Sequence, residues 1–97
     1  MHAAVVRYEL HIGQVASLKA KRAQVKPIVE GLRVRFHVSV AEIDHQDQWQ
    51  RASIGVAVVA SSHGHLTDVL DTVDRFVWSH PEVDVLSAVR TWVDAEG

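Results

Sequence analysis

The chain has 97 residues, 47% of them hydrophobic, a formal net charge of −2 and no cysteine. That size suits one compact domain over residues 1–97, burying roughly 60 to 65% of its unfolded surface, and the absent cysteines exclude a disulfide framework, a thiolate zinc site and a cysteine nucleophile. The longest apolar run, Ile54 to Ala60, is far below the ~20 residues of a membrane span, and Met1 to Leu10 lacks the charged-then-apolar order of an export signal, so a cytoplasmic protein with no membrane partner is expected.

Ala4 to Ile12 alternates, with Val6, Tyr8, Leu10 and Ile12 on one side and Val5, Arg7, Glu9 and His11 on the other, the period-two mark of a half-buried strand. Gly13 ends it. Ser17 is placed to cap a helix from Leu18 to Arg35, whose Leu18, Val25, Val29, Leu32 and Phe36 recur at helical spacing. Pro27 lacks an amide hydrogen and clashes with the Ala23 carbonyl, which predicts a kink or break near Lys26. Gly31 weakens the second half further.

Val38 to Asp44 reads as a second strand and Arg51 to Ala60 as a third, joined by a polar hairpin longer than a tight turn. The third is the most apolar and is expected to be central, with Gly55 marking a bulge or the close approach of another backbone. From Ser62 onward, Leu66, Val69, Leu70, Val73, Phe76 and Val77 trace a second amphipathic helix with an acidic outer face, ended by Pro81. Trp78 is expected to be half buried on it. Val83 to Val93 reads as a fourth strand, with Val83, Val85, Val89 and Val93 on one parity and Leu86, Ala88, Arg90 and Trp92 on the other.

The order β-α-β-β-α-β predicts an α+β, ferredoxin-like sandwich: a four-stranded antiparallel sheet with both helices on one face. Strands one and three are expected to lie central, and parallel to each other, with right-handed crossovers. Glu42 and Asp44 fall on an edge strand, where charge discourages aggregation. No segment is left to cover the other sheet face, which carries Arg7, Glu9 and His11. Arg90 and Trp92 join it if they point outward, and Trp92 on that face would anchor a dimer, whereas on the core side it is ordinary packing.

Charge is unevenly spread. Lys19, Lys21, Arg22, Lys26, Arg33 and Arg35 share a seventeen-residue window with one acid, Glu30, giving the window about +5 and the rest of the chain about −7. Such a basic helix attracts phosphate backbones through counterion release. In the plainer alternative, Asp68, Asp71 and Asp74 on the second helix neutralise it.

The hairpin gathers Asp44, His45, Gln46, Asp47, Trp49, Gln50 and Arg51. Asp44, His45 and Asp47 are the oxygen and imidazole types that ligate metals, and His63 and His65 would add two more if the loops converged. Nothing in the spacing demands that, and Asp and Gln in hairpins more often bond nearby amides, with Arg51 on a carboxylate and Trp49 packed over the hairpin base. We therefore assign no metal, no cofactor and no catalytic residue. Base stacking on the open sheet is also unsupported, because the outward positions Arg7, Glu9, Ser53 and Ala57 offer no aromatic.

Two motifs carry a family resemblance: SLK-x-KR at Ser17 to Arg22, and RF-x-VSVAE-x-DHQD-x-WQRA at Arg35 to Ala52. Together they resemble the bacterial YlxP-like family, a domain of unknown function, and the pattern extends over nearly the whole chain. The resemblance implies the ferredoxin-like fold and, because genes for such proteins commonly lie beside translation and ribosome-maturation genes, a role near ribosomal RNA or small-subunit assembly. It supplies no catalytic residue. Pro27 departs from the family's uninterrupted basic helix.

The sequence thus favours a non-enzymatic protein that associates with RNA or the small ribosomal subunit through the basic helix. The first alternative is a homo-oligomeric interaction module using the open sheet face, and a more distant one is a small hydrolase or metal-dependent enzyme at Asp44, His45 and Asp47.

Overall fold

In the computed structural model, which describes residues 1–94, the elements are β1 (His2–Ile12), α1 (Leu18–Phe36), β2 (Ser39–Asp44), β3 (Arg51–Ala60), α2 (His63–Trp78) and β4 (Val83–Asp94). The last three positions of the expected 1–97 domain lie outside the described residues. The strands form a four-stranded sheet in the order β2-β3-β1-β4, every neighbouring pair antiparallel. This is the α+β, ferredoxin-like arrangement.

β1 and β3 are central, as the hydropathy suggests, but they run antiparallel, with Val6 opposite Val56 and Tyr8 opposite Ile54. The expectation of a parallel central pair fails for a topological reason. The hairpin reverses the chain between β2 and β3, and β3 then inserts between β1 and β2, so the strands that α1 joins are the parallel ones and are not neighbours.

Alternate residues of the central strands (Ala4, Val6, Tyr8, Leu10 and Ile12; Ala52, Ile54, Val56 and Val58) meet Val25, Ile28 and Leu32 of α1 and Leu66, Leu70, Val73 and Val77 of α2 in one core. Removing this apolar surface from water is the main stabilising term. Each helix starts on a serine cap: the Ser17 hydroxyl accepts from the Ala20 amide and that of Ser62 from the His65 amide. α2 stops before Pro81, its last turn closed by the Ser79 amide and hydroxyl on the Phe76 carbonyl.

α1 runs through Pro27 without a break. Both Pro27 and Ala23 are exposed, so the carbonyl that Pro27 deprives of a partner is open to water, and the predicted interruption does not occur. Gly31 has a packing reason: a Cβ there would overlap the Phe76 ring, whose Cε2 would lie 2.9 Å away. At Gly55 the close approach is by a side chain, Ile43, rather than a backbone, with its Cγ2 3.1 Å from where a Cβ would stand, and the bulge lies in β2, between Glu42 and Asp44.

A second bulge alters the reading of β4. Ser87 pairs with Glu9 and Val85 with Leu10, so Leu86 is an extra residue and the alternation inverts there. Val83 and Val85 face the helices. Beyond the bulge, Ala88, Arg90 and Trp92 take the helix side, opposite Tyr8, Val6 and Ala4, while Val89 and Val93 turn to the open face. Trp78 is exposed at 62%, not half buried.

Candidate functional site

Lys21 is the residue whose position departs most from expectation. It is 1% exposed, because it falls three residues after Leu18 and four before Val25, on the stripe of α1 that faces the sheet. Its ammonium lies 2.9 Å from Glu42 Oε1 and donates to the His45 carbonyl at 2.6 Å. Glu42 pairs opposite the buried Ile54, so its side chain also turns toward the helices rather than to solvent. Lys21 therefore does not belong to an RNA-contacting surface. It pins the first turns of α1 to β2 and the hairpin, and so brings the two sequence motifs together.

The other cations point outward. Lys19, Arg22, Lys26, Arg33 and Arg35 are exposed. Arg33 pairs with Glu30 at 3.1 Å and reaches the Val40 carbonyl at 3.4 Å, while Arg35 lies over the Phe36 and Phe76 rings, 5.8 and 5.2 Å from their centroids. Among the described residues Lys19, Arg22 and Lys26 enter no ion pair. Arg22, Lys26 and Arg33 line one side of a groove of about 410 Å³ between α1 and the edge strand β2, whose other wall includes Val40 and Ala41.

Two of the three acids of α2 turn to β4 rather than to this helix, while Asp68 lines a depression with Arg35. Asp71 and Asp74 accept from Arg90 of β4 at 2.9 and 2.7 Å, and Asp74 also accepts the Tyr8 hydroxyl. Burial first, then Asp74, raises the Tyr8 pKa well above its ordinary value. The inward turn of Arg90 that makes this network possible follows from the bulge at Leu86. Trp92 accompanies it, set against His63 at 5.2 Å between ring centroids, so neither residue belongs to the open sheet face.

On that open face Glu9 is the hub. It accepts from Arg7 and Ser53, both at 2.6 Å, and Arg51 and His45 approach at 3.5 and 3.6 Å. The Ser53 hydroxyl, and after it Arg7, hold the Glu9 carboxyl below the usual range against the opposing effect of desolvation. Arg7 also reaches Asp44 at 3.5 Å, and His11 lies 3.5 Å from Asp84. The same face also exposes Val5, Ile43, Val59, Val89 and Val93, with Ser39, Ser87 and Thr91 among them.

The hairpin is bound up in its own hydrogen bonds. Asp44 accepts from the His45 amide at 2.8 Å, the Gln46 side-chain amide donates to the Glu42 carbonyl at 3.4 Å, and the His45 carbonyl takes the Gln48 amide at 3.0 Å as well as Lys21. His45 has a φ of 62°. Arg51 finds its carboxylate outside the hairpin, at Glu9. His63 lies at the opposite end of β1, beside His2 and Trp92, so it cannot join Asp44, His45 and Asp47. Among the described residues no cluster of three or more metal-ligating side chains forms. Trp49 is half exposed and lines a shallow depression with Asp47, Gln48, Gln50 and Arg51. Among the described residues no helix is long and apolar enough to cross a membrane.

Over 84 residues the chain is 42% identical to "Uncharacterized protein YlxP" of Bacillus subtilis (strain 168), an overlap covering 87% of this chain and 91% of that protein. Residues 3–90 match the family described as "Protein of unknown function (DUF503)". That match spans both motifs, the buried Lys21–Glu42 pair and the Glu9 hub, and the chain belongs to this family.

Proposed function

We propose that the chain binds RNA through the outer face of α1 and the groove beside β2, with the small ribosomal subunit or its precursors as the source of that RNA and the cytoplasm as the place of action. The observation that carries the reading is the set of cations without internal partners among the described residues, Lys19, Arg22 and Lys26, continued along the groove by Arg33. Cations so placed contact phosphates and do not read bases, so binding through them depends on salt and not on sequence. Ribosomal RNA as the target rests on the family resemblance. The test is co-sedimentation of the purified protein with small subunits and their precursors across a salt series, beside the Lys19→Ala, Arg22→Ala, Lys26→Ala variant. Salt-sensitive binding lost in the variant supports the proposal. A folded protein that fails to bind at low salt overturns it.

A second reading is favoured by the exposed Val5, Ile43, Val59, Val89 and Val93, which make one half of the open sheet face the more apolar, with Thr91 among them. Here a second copy of the chain covers that half while the Glu9 hub lies at the rim. Sedimentation velocity of wild type against Val89→Asp tests it: a dimer that dissociates in the variant supports this reading, and a monomer at high concentration removes it. Trp92→Ala is not a probe of this face, because Trp92 lies on the helix side.

A further inference from the structure

Stacking of bases across the sheet is closed to this protein, since the outward central positions Arg7, Glu9, Ser53 and Ala57 carry no ring. An aromatic platform exists elsewhere. Trp49 is 50% exposed at the hairpin and lines a depression of about 390 Å³ with Gln48, Gln50 and Arg51. Its loop is held on both flanks: the His45 carbonyl takes the Gln48 amide at 3.0 Å, and the Gln50 carbonyl takes the Ile12 amide at 3.0 Å. An indole presented on a loop already ordered loses little further entropy on binding a flat partner.

The same loop is joined to the basic helix. Lys21 donates to the His45 carbonyl at 2.6 Å, and the exposed Lys19 and Arg22, neighbours three residues apart on one helix face, belong to the same first turns of α1. Chemistry separates the two parts of this surface. Asp47 and Arg51 both line the depression around Trp49, so it offers a phosphate no net positive charge, while the Gln48 and Gln50 amides offer donors and acceptors to the edge of a base. Phosphates are favoured on the helix and a base beside the indole.

We infer that Trp49 is a stacking platform for an unpaired base, and that the RNA held along α1 is single-stranded where it meets the hairpin. The inference rests on the reading of α1 as an RNA-binding helix. In a duplex the base faces are already stacked on their neighbours and cannot reach the indole. From Arg22 to Arg33 the helix advances about 16 Å at 1.5 Å per residue, a length that one short strand can follow.

The test uses the full chain with Trp78→Phe and Trp92→Phe, which leaves Trp49 as the sole emitter of the three tryptophans. Both replaced rings are surface-exposed, at 62% and 43%. A single-stranded RNA of about ten nucleotides and a duplex of the same sequence are titrated at low salt. Trp49→Ala and Trp49→Phe are compared by anisotropy, with far-ultraviolet dichroism confirming their fold. The expected result is quenching of Trp49 by the single strand only, about tenfold weaker single-strand binding for Trp49→Ala, partial recovery for Trp49→Phe, and unchanged duplex affinity. Salt-sensitive binding with Trp49 emission and affinity unaffected overturns this inference and leaves the basic-helix reading standing. Failure of both RNAs to bind overturns the two together.

Discussion

The Lys21 ammonium stands 2.9 Å from Glu42 Oε1 with only 2% of the lysine side chain exposed, joining the first turns of α1 to the edge strand of the sheet. Glu42 Oε1 is buried and makes no hydrogen bond, so the nearby charge is what compensates its loss of water. A buried pair of this kind contributes little net stability, yet leaves a large penalty when one member is removed.

Lys21→Ala is therefore expected to destabilise the protein by about 2–3 kcal/mol, below the values for wholly buried pairs because Glu42 retains some solvent contact. Lys21→Met with Glu42→Leu is expected to recover most of that loss. Urea denaturation of the two variants decides it. If Lys21→Ala left stability unchanged, the burial of this lysine would be wrong.

Salt dependence discriminates among the cations. Removing Lys19, Arg22 and Lys26 together is expected to lower the slope of log K against log[salt] by about 2, at ~0.7 per phosphate contact on a single strand. Lys21→Ala, measured where it remains folded, is expected to leave the slope unchanged. Filter binding over a salt series reads both.

Glu9 links stability to acid pH. Its folded-state pKa is depressed from the ordinary 4.5, through Ser53 and then Arg7, so its contribution is present above that value and is lost as pH falls through the lowered one. Glu9→Gln is expected to be less stable than wild type at neutral pH, the gap closing as the wild-type carboxylate takes up its proton. Thermal unfolding from neutral to acidic pH shows whether the curves converge.

Tyr8 links it to alkaline pH in the opposite sense. Burial, then Asp74, raises its pKa from 10.0, so this contribution is fully present below that value and declines at higher pH. Tyr8→Phe is expected to cost about 1–2 kcal/mol at neutral pH. Asp74 keeps Arg90, 2.7 Å away, which limits the loss. Chemical denaturation at neutral pH measures it.

His37 closes α1 in the left-handed conformation, with a φ of 54°. Glycine adopts that conformation without the Cβ clash, so His37→Gly is expected to stabilise by about 0.5–1 kcal/mol, net of its greater freedom in the unfolded chain. A fall in melting temperature would mean that the imidazole makes a compensating contact.

Much of the architecture was legible because it is local. The alternation of Val6, Tyr8, Leu10 and Ile12, the serine caps and the stripe from Leu66 to Val77 each reflect the period of one element, and periodicity needs no knowledge of neighbours. The burial of Lys21 was within reach on the same ground, since it sits on the stripe between Leu18 and Val25. Side-chain type obscured it, because a lysine is ordinarily read as solvated.

What the tertiary structure decided is pairing. No local pattern announces that β3 inserts between β1 and β2, that Leu86 is the residue without a partner, or that Arg90 consequently turns from the open face to Asp71 and Asp74. These depend on strand register, and a one-residue slip exchanges the two faces of a strand while leaving its composition untouched. By itself the sequence determined the elements, the stripes that form the core and the cations along one helix. Which of those cations face water, and which acids face them, was settled only when the elements packed, because a charge is neutralised by what is near it in space and not by what is near it along the chain.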